Sequence, residues 1–257
     1  MAGHLLAKGF SVAGCDPAAR ARSSAKDLGV SLLGSAREVA QASDLVIVVV
    51  GFDEEVETAV FGPGGIAEAA RPGLVVAIGS TVAPAYARKL AQRLSALGVV
   101  ALDAPLARGE AAAVAGKLLV FGAGDKQAFE TCRPAFSAFA SDLFHLGDAG
   151  AGQVAKMVNN LILWACTSAN DEGLRLGEAR GVDAEKLRAA LHSSSGQNWS
   201  MDNRAELSGM PWAEKDMGIV LHEADLARLS LPLCGTVKET IKGLKIRMGL
   251  GLPQGRA

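Results

Sequence analysis

The sequence is poor in the residues that make nucleic-acid or membrane surfaces. Aromatics are 5% of 257 residues, with a single tyrosine, and 26 Lys and Arg are balanced by 27 Asp and Glu. A near-neutral chain with so few stacking rings gives no reason to expect nucleic acid or an anionic membrane as partner. Long apolar runs are also missing. The longest, Leu45 to Phe52, lies between Asp44 and Asp53, far below the roughly 20 residues a membrane helix requires. The opening MAGHLLAKGF has no charged lead, apolar run and small-residue cleavage site of a secretory signal. Cysteines number four (Cys15, Cys132, Cys166, Cys234) without CxxC or Cys/His spacing, which excludes a disulfide framework and predicts no metal site. Three of them sit among apolar neighbours and are expected as buried thiols in a reducing cytoplasm. No G-x-S-x-G elbow is present either.

What is present can fold. Hydrophobic residues make up 49% and charged residues 21%, enough for a sizeable core. Up to about residue 149, β-rich runs alternate with helical stretches. Phe10 to Asp16 reads as a strand ending in an acid, Pro17 to Leu28 and Ser35 to Ala42 as helices. Leu45 to Val50 is a continuous apolar strand, of the kind covered by helices on both faces. Val56 to Ala70 reads as helical with a break at Gly62 to Gly65. Leu74 to Ile78, Val99 to Leu102 and Leu118 to Phe121 are further strands, with a helix over Ala83 to Leu97. This alternation predicts an α/β fold, a doubly wound Rossmann-type parallel sheet over residues 1–149. From 150 to 257 the pattern is all-α. It has a long helix over Val154 to Arg180 and others over Ala184 to His192, Glu214 to Leu226 and Pro232 to Met248.

The start is unusual for such a sheet. Met1 to Lys8 looks like the end of a helix, with Gly9 as its cap. A dinucleotide-binding unit places a strand and a G-x-G-x-x-G turn ahead of that helix, whose amides hold the pyrophosphate. The first strand and the Gly-rich turn are missing here, so the expectation is a misassigned start or a truncated chain with weak NAD(H) binding. Asp16, at the end of the next strand, is placed to accept the ribose hydroxyls and to repel a 2′-phosphate, which favours NAD over NADP. Arg20 and Arg22 nearby can admit a phosphate, and Asp16-Pro17 also reads as an ordinary turn or helix cap.

Lys156 and Asn160 are four apart and project from one face of a helix. An ammonium beside a carboxamide can hold a carbonyl or hydroxyl oxygen and exchange a proton with it. The plain alternative is a solvated helix face.

Several segments together resemble the β-hydroxyacid dehydrogenases over nearly the whole chain. Gly79-Ser80-Thr81-Val82-x-Pro84 resembles the S-T-x-x-P segment beside the nicotinamide. Asp103-Ala-Pro-Leu-Ala-Arg-Gly109 resembles the substrate segment D-A-P-V-S-G-G. The segment from Gly150 through Lys156 to Asn159-Asn160 resembles the catalytic G-x-G-x-x-x-K-x-x-N-N. Lys215-Asp216 resembles a K-D pair in the α-domain. The resemblance implies Lys156 as general acid/base, Asn160 with Asn159 orienting the reacting oxygen, and Pro105, Leu106, Ala107 and Arg108 holding an anionic substrate. It implies Asp16, Val50, Gly51, Thr81 and Lys215 around NAD or NADP, and a homodimer or higher homo-oligomer. Two residues depart from the family. Ala107 stands for a serine and Arg108 for a glycine, so Arg108 reads equally as a fork for a carboxylate, sulfonate or phosphate and as a surface residue near Glu110. The expected function is hydride transfer between a nicotinamide and a small anionic 3-hydroxy acid or semialdehyde. The alternatives are an imine-reductase-like enzyme of the same fold and a non-catalytic remnant.

Overall fold

In the computed structural model the β-rich runs of the first half become strands between helices, and the second half is helical. The structure describes residues 1–203 and 209–251. It divides into two compact units, Met1–Lys156 and Met157–Ala257. In the first unit, α1 (Ala2–Ala7) leads through β1 (Ala13–Gly14), α2 (Ala19–Asp27), β2 (Ser31–Leu32) and α3 (Ala36–Gln41) to β3 (Leu45–Val48). Then follow α4 (Asp53–Phe61), a 3-10 turn at Ile66–Ala69, β4 (Val75–Ile78), α5 (Pro84–Ser95) and β5 (Val100–Asp103). The unit continues with β6 (Leu106–Ala107), α6 (Gly109–Ala115), β7 (Leu118–Gly124), α7 (Lys126–Phe136) and β8 (Ala140–His145).

β3, β4 and β5 are parallel, and their last residues pair across the sheet, Val48 with Ile78 and Ile78 with Asp103. The segments that begin at 49, 79 and 104 therefore leave one carboxyl edge, where open α/β sheets hold their ligands. Burial explains the register. Val76 and Ile78 join a core with Val46, Val48, Val56 and Leu90, while Val75 and Ala77 join one with Leu102, Val120, Phe129 and Phe136. Apolar residues on both faces of β4 are what a helix-covered parallel strand needs.

The sheet departs from the all-parallel expectation in two ways. β7 runs antiparallel to both β5 and β6, and only β8 is again parallel to it. Arg108 (φ 87) and Gly109 (φ 75) are consecutive left-handed residues that reverse the chain after β6. β1 and β2 pair only with each other, apart from the six-stranded sheet. With ladder bonds on one side alone, the expected strand at 10–16 shrinks to two residues. Gly9 is left-handed (φ 84) after α1, as a cap requires.

α8 (Ala151–Ala179) runs from the end of the first unit into the second, which adds α9 (Ala184–His192), α10 (Trp199–Asp202), α11 (Ala213–Leu226) and α12 (Pro232–Arg247). Trp164, Met217, Val220, Cys234, Val237 and Ile241 form its core. Cys132 and Cys234 are buried, Cys166 is half-buried and Cys15 is exposed. Burial pushes the Cys132 thiol up to about 11. Among the described residues no helix is long and apolar enough to cross a membrane.

Candidate active site

The first turn of α8 is joined to the end of β5 and to the carboxyl-edge loop at 79–83. Asp103, the last residue of β5, is 3% exposed. Its Oδ2 accepts the N–H groups of Gly150 (2.8 Å), Gly152 (3.1 Å) and Gln153 (3.3 Å). These are amides that a helix start leaves without intrahelical partners. Burial raises the Asp103 carboxyl above its ordinary value, against the lowering effect of the three backbone donors and of Arg88. This cap starts α8 at Ala151, ahead of the expected Val154. Gly150 is left-handed (φ 95), and a Cβ at Gly152 would meet Asp103 Cβ at 2.7 Å, so both glycines are required by the contact.

Gln153 makes the second junction. Its Nε2 donates to the Ser80 carbonyl (2.9 Å), and its Oε1 accepts from Val82 N (3.1 Å). Ser80 Oγ in turn accepts the Val50 N–H (2.8 Å). Ser80 does not cap α5, which begins later, with Pro84 in its first turn. The amides of Gly51 and Phe52 are received by Glu55 Oε2 at 2.8 and 3.0 Å. Val50 and Gly51 therefore lie at the sheet edge with their N–H groups already held by protein.

Thr81, Lys156 and Lys215 are half-buried, and Asp16 is exposed. Asp16 Oδ1 accepts the Ala18 N–H at 2.8 Å, while Arg22 donates to the Asp16 and Pro17 carbonyls. Pro105 and Ala107 are buried and Leu106 is half-buried. Leu106 and Ala107 are paired into the β7 ladder opposite Val120 and Leu119. The Arg108 guanidinium is directed along the sheet surface, to Asp142 (2.6 Å), Ser141 (2.9 Å) and the Lys117 carbonyl (3.2 Å). Ser141 and Arg108 together hold the Asp142 carboxyl below its ordinary value.

In the second unit Asn160 is buried, 3% exposed. Its Nδ2 donates to Asp216 Oδ2 at 2.7 Å and its Oδ1 accepts from Asn159 Nδ2 at 2.9 Å. The first turn of α11 therefore sets the Asn160 amide through Asp216, and Lys215 stands beside that contact in sequence. Ser80, Asp103, Gln153 and Asp216 lay within recognisable segments, but their partners are distant in the chain and only the fold supplies them.

To a dinucleotide the residues present would offer an exposed acid, Asp16, two residues beyond β1, and an open edge after β3, where Val49 is 50% exposed and Val50 and Gly51 are half-buried.

Two family models match the chain in succession. Residues 1–147 match the family model described as the NAD binding domain of 6-phosphogluconate dehydrogenase. Residues 150–251 match the NAD-binding model of NADP-dependent 3-hydroxyisobutyrate dehydrogenase. An NAD-dependent L-serine dehydrogenase from Pseudomonas aeruginosa is 33% identical, over 97% of this chain and 89% of the relative. A 3-hydroxyisobutyrate dehydrogenase of the same organism is 32% identical, over 91% and 84%. The crystal structure of a Salmonella typhimurium 3-hydroxyisobutyrate dehydrogenase superposes with a TM-score of 0.85 at 27% identity, covering 96% of this chain and 90% of that one.

Proposed function

The chain belongs to the β-hydroxyacid dehydrogenase family, and from that premise we propose that it interconverts a small anionic 3-hydroxy acid and its semialdehyde with Lys156 as general acid/base. Bound NAD or NADP supplies or accepts the hydride at its nicotinamide ring. Lys156 protonates the oxygen of the reacting carbonyl as that carbon is reduced, and removes the proton in the other direction. The second N–H of the Asn160 amide, whose first is held by Asp216, orients the same oxygen, with Asn159 steadying the amide. The segment 105–108 receives the carboxylate or sulfonate end, chiefly through its backbone, since Arg108 is engaged by Asp142.

The observation that carries this reading is the start of α8. A buried acid and a buried amide fix the turn that presents Lys156, and Asn160 follows one turn later on the same helix. Asp16 favours NAD at the adenosine ribose, with Thr81 and Lys215 at the nicotinamide side. The relatives' names point to L-serine and 3-hydroxyisobutyrate, both 3-hydroxy acids, as first substrates to assay. A second subunit is proposed to cover the exposed Val158 and Ile162 on α8, and sedimentation measures the assembly directly.

The test is Lys156→Ala, assayed on hydroxy acids and semialdehydes with both cofactors. Turnover should disappear while cofactor affinity stays within about threefold, as removal of a group acting at the transition state predicts. Retained turnover refutes the role given to Lys156.

A further inference from the structure

The reaction proposed above makes no use of Gln153, the most completely buried polar side chain of the first unit at 0% exposure. A helix turn does not require a glutamine there, and an apolar side chain would be easier to bury. Its carboxamide donates to the Ser80 carbonyl and accepts from the Val82 N–H. That is the pair of bonds a neighbouring strand would make with alternate residues of an extended segment. Two bonds of opposite sense fix both the distance and the rotation of residues 80–82 relative to α8. The connection continues on either side. Ser80 Oγ holds the Val50 amide, the Gln153 main-chain N–H is held by Asp103, and Lys156 lies three residues on, along the same helix face.

We propose that Gln153 is a positioning residue, which couples the cofactor-side segment 80–82 to the helix turn that carries Lys156. The inference rests on the acid/base reading of Lys156. It adds that the relative placement of hydride and proton transfer is set through one side-chain amide. Misplacement by about 1 Å can cost on the order of 100-fold in rate, so the coupling has kinetic consequences out of proportion to two hydrogen bonds.

Gln153→Glu gives a readout that a merely structural amide would not. Protonated, the carboxyl accepts from Val82 and donates to Ser80 as the amide does. Ionised, it can only accept, and it opposes the Ser80 carbonyl with a negative charge. Burial raises a carboxyl pKa into the accessible range. Turnover of 3-hydroxyisobutyrate and L-serine with NAD should be compared as the ratio of variant to native chain at each pH. The ratio removes whatever pH dependence the two proteins share. The ratio should climb about tenfold as pH falls, whereas Gln153→Met should stay about 10- to 100-fold low at every pH.

Lys156→Ala run alongside separates the two ideas. If it retains turnover, the acid/base reading fails. If it is inactive while Gln153→Met keeps native kcat, the coupling is overturned. Amide hydrogen exchange tests the coupling without turnover. NADH should protect both 80–84 and 150–156 in the native chain, and only 80–84 in Gln153→Met. Equal protection at 150–156 in both, or none there in the native chain, also overturns it.

Discussion

Asp103 and Gly152 are fitted to one another. The carboxylate accepts the Gly152 N–H at 3.1 Å, and a Cβ on residue 152 would press on Asp103 Cβ and on the Phe121 carbonyl. Backbone and a capped carboxylate cannot give way as a flexible side chain can. Gly152→Ala should destabilise the protein by about 1–3 kcal/mol, the usual cost of overpacking. Gly173→Ala is the control on the same helix. A Cβ there meets nothing within 4 Å, so it should stabilise by about 0.5–1 kcal/mol through helix propensity. Urea midpoints of the two variants should move in opposite directions. A Gly152→Ala midpoint equal to the native one would mean that the helix start has slack.

The same carboxylate makes stability depend on pH with a definite sign. Burial raises the Asp103 carboxyl above its ordinary 3.8, so between that value and its native one the folded chain binds more proton than the unfolded. Stability therefore falls as pH rises through this window and is flat above it. Asp103→Asn keeps an acceptor of the same shape but cannot titrate. The stability of the native chain relative to the variant should decline from pH 3.5 upward and then level off. Parallel curves across the range would remove Asp103 from the account.

How much of this was legible in the sequence follows from the reach of each contact. β3, β4 and β5 were readable because burial on both faces leaves continuous apolar runs at Leu45, Leu74 and Val99. The start of α8 was not, since Ala151-Gly152 is a poor helix opening and its cap, Asp103, is 47 residues away. Asn160 and Asp216 stood in recognisable segments, yet their bond spans 56 residues. β8 was missed because Ala140–His145 has no strict apolar alternation, and α7 was missed in a stretch that carries Pro134 within the helix. Asp16 was legible as a strand-ending acid, but the strand before it is short because β1 has a single partner.

Arg108 combines a left-handed backbone with a side chain fixed elsewhere. Its φ of 87° is a conformation that favours glycine. Its guanidinium is held by Asp142 and Ser141. Arg108→Ala and Arg108→Gly both delete that contact, and only glycine also relieves the backbone. The glycine variant should therefore be the more stable of the two by about 1 kcal/mol. Neither should change KM for an anionic substrate more than about threefold, because a charge-assisted contact to substrate would cost more. A tenfold rise in KM for both variants would return the guanidinium to the substrate site.

The first turn of α11, which carries Lys215 and Asp216, is itself held by a buried ion pair. Lys245 of α12 is 1% exposed, and its Nζ lies 2.8 Å from Glu214 Oε1, whose side chain is 16% exposed. The contact lacks the alignment of a hydrogen bond, so charge holds it. Removing one member of such a pair leaves an uncompensated charge in a dry place. Replacing both is often close to neutral. Lys245→Met should accordingly cost about 3 kcal/mol, and adding Glu214→Gln should recover most of it. The single variant should also loosen Asp216 from Asn160, seen as faster amide exchange across residues 213–217, and the double variant should restore it. If the double variant is as unstable as the single one, Lys245 matters for its packed carbon stem rather than for its charge, and the α11 turn does not depend on the ion pair.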